Sequence, residues 1–320
     1  MTDTRFSCSA FIKEIGRGAN GARALSRADA QALYSAMLDG RVGDVELGAV
    51  LMAYRIKGET AEELAGMLSA AQATLEPIQL PADSSLPVVI PSYNGARKQA
   101  NLVPLLASML AREGIPVLVH GVTTDPGRVT SAEIFAQLGV QPATSMPEIT
   151  DSLARTRLAF APIEVLSAPL ARLLALRRTM GVRNSTHTLV KLLQPFRGAA
   201  LRLVNYTHPP YREALLSLFE RFPDEPVGAL LARGTEGEAV ADTRRQVQVD
   251  WVRSGGAEIL TAASRRPADA PEIELPTARD AGPTASWIND ALDERVATPE
   301  ALVLQVRMIR EVLERAAARH

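Results

Sequence analysis

The chain has 320 residues, of which 47% are hydrophobic, and its 35 basic and 36 acidic side chains leave a formal net charge of −1. This length and composition predict a globular protein of one or two domains. The lone cysteine, Cys8, excludes an intramolecular disulfide, and the absence of a secretory h-region or a long apolar stretch excludes the membrane and secreted classes, so we expect a soluble cytoplasmic protein.

The N-terminal region predicts a bundle of short helices. Between residues 26 and 73, apolar residues recur at helical spacing, and glycines separate the helices. Ser26 with Asp29 and Thr60 with Glu63 have the spacing of capped helix starts.

Apolar runs alternate with helical segments after the proline-rich stretch at residues 77–87, and this alternation predicts a parallel sheet. Strands are predicted at residues 87–90, 115–120, 158–161, 200–205, 226–232 and 246–252, and helices at 103–112, 131–138, 166–180, 211–221 and 299–318. Residues 267–283 hold proline and acidic residues but few large apolar ones, which indicates a surface loop.

Several segments, in order along the chain, resemble the anthranilate phosphoribosyltransferase family. They are residues 25–66, 117–140 (VLVHGVTTDPGRVTSAEIFAQLGV), 158–162 (LAFAP), 176–183 (LRRTMGVR) and 188–196 (TLVKLLQPF). The resemblance implies an α/β fold of the nucleoside phosphorylase/phosphoribosyltransferase type, with a small helical domain and a larger α/β domain whose sheet is mostly parallel. It further implies that residues 1–80 with 165–193 form a helical dimerisation domain, that residues 81–164 with 194–320 form the α/β domain, and that the protein is a homodimer.

The segment that should bind the diphosphate of phosphoribosyl pyrophosphate departs from the family pattern. Where the family has Gly-Thr-Gly-Gly-Asp, this chain has Pro91, Ser92, Tyr93, Asn94 and Gly95. Glycines let backbone N–H groups approach phosphates closely, whereas proline removes a donor and tyrosine fills space. This loop is therefore expected to be a degenerate substrate loop.

Other functional positions of the family have changed as well. The Asn-Ile-Ser-Thr phosphate contacts are replaced by residues 101–104 (NLVP), and Val119 stands at the position of the family's lysine. The Asp-Glu magnesium pair falls at Glu236 and Gly237, with Glu238 as a further carboxylate, so we expect only a vestigial metal position, no cofactor and no catalytic residue.

The phrases GVRNSTHTLVKLL and RGTEGEAVADTRR resemble the YbiB-type paralogues of that family in particular, in which the scaffold serves in nucleic-acid binding. Residues 155–202 carry nine basic side chains against one acidic side chain, Glu164, a local net charge of +8. Such a run is often only a solvated surface. Alternatively, together with basic loop residues, it would line a basic inter-domain cleft.

We therefore expect sequence-independent binding of DNA, and also of RNA, by this cleft on a degenerate phosphoribosyltransferase scaffold. The expected phosphate contacts are Arg97, Lys98, Arg128, Arg177, Arg178, Arg183, Lys191, Arg197 and Arg202. Tyr93 is a candidate for stacking on a base. The alternatives are a glycosyl or phosphoribosyl transferase with a different substrate, and a pseudoenzyme that binds another protein. The sequence does not separate DNA from RNA or single from double strands.

Overall fold

The computed structural model describes residues 5–18, 20–207, 209–221, 227–253, 255–265, 273–276 and 280–318. The strands are β1 (Val88–Ser92), β2 (Val117–Gly121), β3 (Leu158–Pro162), β4 (Leu201–Tyr206), β5 (Ala229–Arg233), β6 (Arg245–Gln246), β7 (Val249–Arg253), β8 (Gly256–Thr261) and β9 (Ser264–Arg265). The helices are α1 (Ser9–Ile15), α2 (Arg27–Leu38), α3 (Asp44–Lys57), α4 (Ala61–Gln72), α5 (Val103–Arg112), α6 (Ser131–Gln137), α7 (Met146–Thr156), α8 (Ile163–Leu166), α9 (Ala168–Met180), α10 (Thr186–Leu189), α11 (Pro209–Phe219), α12 (Ala281–Leu292) and α13 (Glu300–Ala317).

The chain divides into two compact units. A helical unit comprises Met1–Glu76 and Leu166–Pro195, and an α/β unit comprises Pro77–Val165 and Phe196–His320. The boundaries differ slightly from the expected ones for a local reason. Ile78 pairs with Phe196 inside the α/β unit, whereas Gln194 donates its backbone N–H to Gln72 Oε1, at 3.0 Å, inside the helical unit.

The helical unit contains the two capped helix starts that the sequence predicts. Ser26 Oγ accepts the backbone N–H of Asp29 at 3.1 Å, and Thr60 and Glu63 form a capping box at the start of α4. The Glu63 carboxylate is buried and lies 2.7 Å from Lys57 Nζ. Both predicted helix starts are therefore confirmed.

The later part of the helical unit is attached to the N-terminal helices by polar contacts. The Tyr34 and Thr186 hydroxyls share a hydrogen bond of 2.8 Å, and Arg172 donates to the carbonyls of Met37 and Leu38 at the end of α2, at 2.7 and 2.9 Å. Asn184 donates its side-chain amide to the Leu173 carbonyl at 2.9 Å. The two Arg172 bonds satisfy carbonyl groups that the end of α2 leaves without an intrahelical partner.

The α/β unit is built on a seven-stranded sheet in the order β3-β2-β1-β4-β5-β7-β8. The first five strands of this order are parallel, while β7 pairs in antiparallel fashion with β5 on one side and β8 on the other. The apolar cluster on one side includes residues of α5, α6, α12 and α13. The mostly parallel sheet predicted from the sequence is confirmed.

Some elements differ from the predictions. Helices α7 and α12 and strand β8 were not predicted, and the predicted strand at 246–252 begins at Val249. Of the predicted loop at 267–283, residues 267–272 and 277–279 lie outside the described residues, as does Pro226 at the start of another predicted strand. Residues 281–283 form the first turn of α12. Pro283 is compatible with this position, because the N–H groups of a first helical turn have no intrahelical hydrogen-bond partner. Among the described helices, none is long and apolar enough to cross a membrane.

Candidate functional site

The degenerate loop begins two residues later than the sequence indicates, at Tyr93. Pro91 and Ser92 are the last residues of β1 and pair with His120 and Gly121 of the neighbouring parallel strand. A Cβ atom at Gly121 would lie 1.7 Å from the Ser92 carbonyl oxygen, so only glycine permits this approach. The loop that follows starts at the carboxyl edge of the sheet, where open α/β folds bind their ligands.

Tyr93 points into the α/β unit. Its hydroxyl shares a 2.7 Å hydrogen bond with His120 Nδ1, and the two rings meet edge to face. Both side chains are buried, and burial lowers the pKa of His120 to about 3, so this histidine is neutral. The prediction that Tyr93 stacks on a base is wrong, because its ring is enclosed by protein.

Glu238 binds the backbone of the degenerate loop. Its Oε1 atom accepts the backbone N–H groups of Asn94 and Gly95, both at 2.7 Å, and the Asn94 amide donates to the Gly237 carbonyl at 2.6 Å. Glu238, Asn94 and Gly95 are buried. Gly95 has a φ of 63° and lies against Val129, where a Cβ atom would come within 2.8 Å of the carbonyl oxygen.

Glu236 binds the next part of the same loop. One carboxylate oxygen accepts the N–H of Arg97 at 3.0 Å, and the other accepts those of Lys98 and Gln99 at 2.8 and 3.0 Å. Glu236 has a φ of 50°, an uncommon conformation for a residue with a side chain. We call Glu236, Glu238 and the five N–H groups that they bind the carboxylate clamp.

The carboxylate clamp changes the interpretation of the vestigial metal position. Successive backbone N–H groups that converge on one point form an anion site, and in this chain the anions are its own carboxylates. Glu236 uses both oxygens and Glu238 uses Oε1 for N–H groups, so these atoms are engaged with hydrogen-bond donors rather than directed at a cation. Sequence reasoning missed this contact, for which the only signal is the alternation of Gly and Glu in GTEGE.

The predicted phosphate contacts of the α/β unit have different environments. Arg97, Lys98 and Arg197 are exposed. Arg128 is half-buried, with its Nη1 3.3 Å from the Gly95 carbonyl, so it supports the loop that the carboxylate clamp holds. The prediction for Arg202 is wrong, because this β4 side chain is only 4% exposed and its guanidinium lies over the Phe219 ring, 5.0 Å from its centroid.

The predicted phosphate contacts of the helical unit lie near the end of α9 and in the segment that follows it. Arg178 is exposed, whereas Arg177, Arg183 and Lys191 are half-exposed. Burial and then the positive charges of Arg183, Arg177 and Lys191 lower the pKa of His187 to about 4. Three cations therefore act on one neutral imidazole, which places them in a common region of positive potential. We call Arg177, Arg178, Arg183 and Lys191 the α9 basic cluster.

Comparisons with known proteins agree with this architecture. The family described as "Glycosyl transferase family, helical bundle domain" matches residues 9–74. The YbiB protein of Escherichia coli strain K12 is 44% identical over 297 residues, which cover 92% of this chain and 91% of that protein. Anthranilate phosphoribosyltransferase 2 of Ralstonia nicotianae is 31% identical over 182 residues, 57% of this chain and 52% of that protein.

Solved structures show the same fold at low identity. Anthranilate phosphoribosyltransferase from Thermus thermophilus superposes with a TM-score of 0.72 at 22% identity, covering 97% of this chain and 89% of that one. The enzyme from Saccharomyces cerevisiae in complex with PRPP and Mg gives a TM-score of 0.73 at 12% identity, covering 95% of this chain and 88% of that one.

Proposed function

Because the chain belongs to the YbiB-type paralogues of the anthranilate phosphoribosyltransferase family, we propose that it binds nucleic acid without sequence preference instead of transferring a phosphoribosyl group. The observation that carries this proposal is the α9 basic cluster, whose four cations lie at exposed or half-exposed positions. The exposed Arg97 and Lys98 supply further phosphate contacts on the α/β unit.

The carboxylate clamp argues against the family's reaction. Five backbone N–H groups between residues 94 and 99 are already engaged, because Glu236 and Glu238 hold them at 2.7 to 3.0 Å. A diphosphate would have to displace both carboxylates or lie beside their negative charges. Either arrangement costs free energy, so diphosphate binding in the family's manner is disfavoured.

The α9 basic cluster suits phosphates in a polymer. Arginine and lysine side chains release counterions when they contact a nucleic-acid backbone, and this contribution carries no base information. Cations at exposed and half-exposed positions on α9 and in the following segment can reach such a backbone. DNA and RNA both present this chemistry, so we propose both as ligands.

The helical unit also offers a surface for a second copy of the chain. On α3, Val45, Met52 and Ile56 are 88%, 37% and 68% exposed. Their spacing of seven and then four residues places them along one helix face. We propose that this face forms a homodimer, which would present two α9 basic clusters in one particle.

The proposal is tested by replacing Arg177 and Arg178 together by alanine. Gel-shift titrations with unrelated DNA and RNA oligonucleotides should show weaker binding to all of them by a similar factor. The matched control replaces the exposed Lys13 and Arg307 by alanine, which removes equal charge elsewhere and should have little effect. Equal affinity of the Arg177/Arg178 variant and the parent would refute the assignment to the α9 basic cluster. Release of diphosphate from phosphoribosyl pyrophosphate with some other acceptor would favour the transferase alternative.

A further inference from the structure

The α/β unit contains a pocket whose lining includes none of the residues of the carboxylate clamp. Segments of β4 and β5, residues 239–249 and helix α13 line this pocket, which is partly open to solvent. Its walls include the half-buried apolar side chains of Val247, Val249, Leu304 and Met308. Half-buried apolar walls of this kind favour a ligand with an apolar body.

Arginine side chains line this pocket or lie on the strand paired with its lining. Arg233 and Arg245 line it and are exposed. In the two-stranded ribbon of β6 and β9, Arg245 lies directly opposite Arg265. Like charges opposite each other destabilise an antiparallel pair. An anion bound between the two strands would remove this repulsion.

One carboxylate, that of Asp242, contacts two neighbouring arginines, Arg244 and Arg245. The buried Asp242 side chain contacts Arg244 Nε at 3.3 Å and Arg245 Nε at 2.9 Å. Both contacts use the Nε atom, so the terminal guanidinium nitrogens remain for a ligand. Arg233, Arg244, Arg245 and Arg265 therefore carry more positive charge than Asp242 balances.

We propose that this pocket binds a nucleotide, with its base against the apolar walls and its phosphate on Arg245 and Arg265. The Met308 thioether suits the edge of an aromatic ring. Gln305 accepts the Ala241 N–H at 2.8 Å, which fixes its amide in the pocket wall near the edge of a base. The inference rests on the proposed function for its ligand class and adds a second site, on the α/β unit, that takes an unstacked base.

The first measurement is calorimetric titration of the full chain with adenosine 5′-monophosphate, adenosine, inorganic phosphate and, as an apolar anion without a base, benzoate. Because the site combines apolar walls with arginines, the nucleotide should bind at least about tenfold more tightly than either part alone. Equal binding of benzoate and the nucleotide would overturn the assignment to nucleotides, and so would absence of nucleotide binding at millimolar concentration.

Two variants then test the two halves of the pocket. Arg265→Ala should weaken binding of the nucleotide by about fivefold, as expected for loss of one exposed charge contact, and leave adenosine unchanged. Ala301→Phe adds a ring at the pocket wall and should weaken binding of nucleotide and adenosine alike. The matched control for the charge is Arg307→Ala, on an exposed position of α13 outside the pocket lining. Unchanged nucleotide affinity in both test variants would refute the proposal.

The outcomes separate this inference from the proposed function. If the Arg177/Arg178 variant loses oligonucleotide binding but keeps binding of the mononucleotide, both proposals stand. If the parent binds oligonucleotides but not the mononucleotide, the pocket assignment fails and the proposed function stands. Binding of the mononucleotide by a parent that does not bind oligonucleotides supports the pocket and contradicts the proposed function.

Discussion

Replacing Glu238 by alanine should destabilise the α/β unit strongly. This buried side chain accepts the backbone N–H groups of Asn94 and Gly95, both at 2.7 Å. A hydrogen bond to a charged group contributes about 1.5–3 kcal/mol, and its loss leaves a buried donor without a partner. The two bonds together predict a loss of about 3–6 kcal/mol in the free energy of unfolding. Glu238→Gln keeps a side-chain acceptor oxygen and should lose about half as much.

Urea unfolding followed by tryptophan fluorescence measures this effect. The chain has two tryptophans, Trp251 and Trp287, and both belong to the α/β unit, so the signal reports the unit that contains the carboxylate clamp. With a slope of about 2 kcal/mol per molar urea, the alanine variant should unfold at a midpoint roughly 1.5–3 M lower.

The control for charge is Glu220→Gln, at an exposed position of the same unit, which should leave the midpoint nearly unchanged. A midpoint for Glu238→Ala that equals that of the control would refute the claim that Glu238 holds the loop. The Glu236 bonds to Arg97 and Lys98 are exposed, so Glu236→Ala should cost less than Glu238→Ala.

Three further outcomes follow from the same structure. Mixing the protein with phosphoribosyl pyrophosphate and anthranilate should release no diphosphate above background, because loss of even one such electrostatic contact commonly costs about 3 kcal/mol in rate, and any turnover would contradict this expectation. Ile56→Glu should convert the expected dimer to a monomer in light scattering, because it places a charge on the exposed apolar face of α3; a parent that is already monomeric would refute the dimer. Burial lowers the pKa of His120 to about 3, and burial together with neighbouring cations lowers that of His187 to about 4. The unfolded chain therefore binds more protons below about pH 6.5, and the free energy of unfolding should decrease by roughly 1 kcal/mol per pH unit per histidine as pH falls towards 4. His120→Gln should reduce this dependence, and an unchanged pH profile would contradict the assignment.

The sequence predicts the parallel part of the fold well because the alternation of apolar runs and amphipathic segments is a local signal. Its failures also have local causes. Helix α7 buries Ile149 and Leu153 one turn apart, but it begins beside Pro147, which reads as a loop signal in sequence. Helix α12 begins at Ala281 beside a proline, which reads as a loop signal in sequence.

The candidate site was less predictable because its contacts are long-range. The substitutions at residues 91–95 indicate a degenerate loop, but only the fold brings Glu238 to Asn94, 144 residues away. Charge counting selects Arg177 and Arg183, but it also selects Arg202, whose position inside a sheet buries it against Phe219. A local count of charges cannot distinguish an exposed arginine from one that packs on an aromatic ring.

The salt dependence of nucleic-acid binding tests the central claim most directly. The parent protein is titrated with two unrelated duplexes of equal length at several salt concentrations from about 50 to 200 mM. Binding through the α9 basic cluster predicts equal affinities for the two duplexes and a linear log–log plot, with a slope of about −0.9 for each phosphate neutralised. The Arg177/Arg178 alanine variant should reduce that slope by about two units if both side chains contact phosphate. Absence of binding at about 50 mM salt, or an affinity independent of salt, would contradict the account.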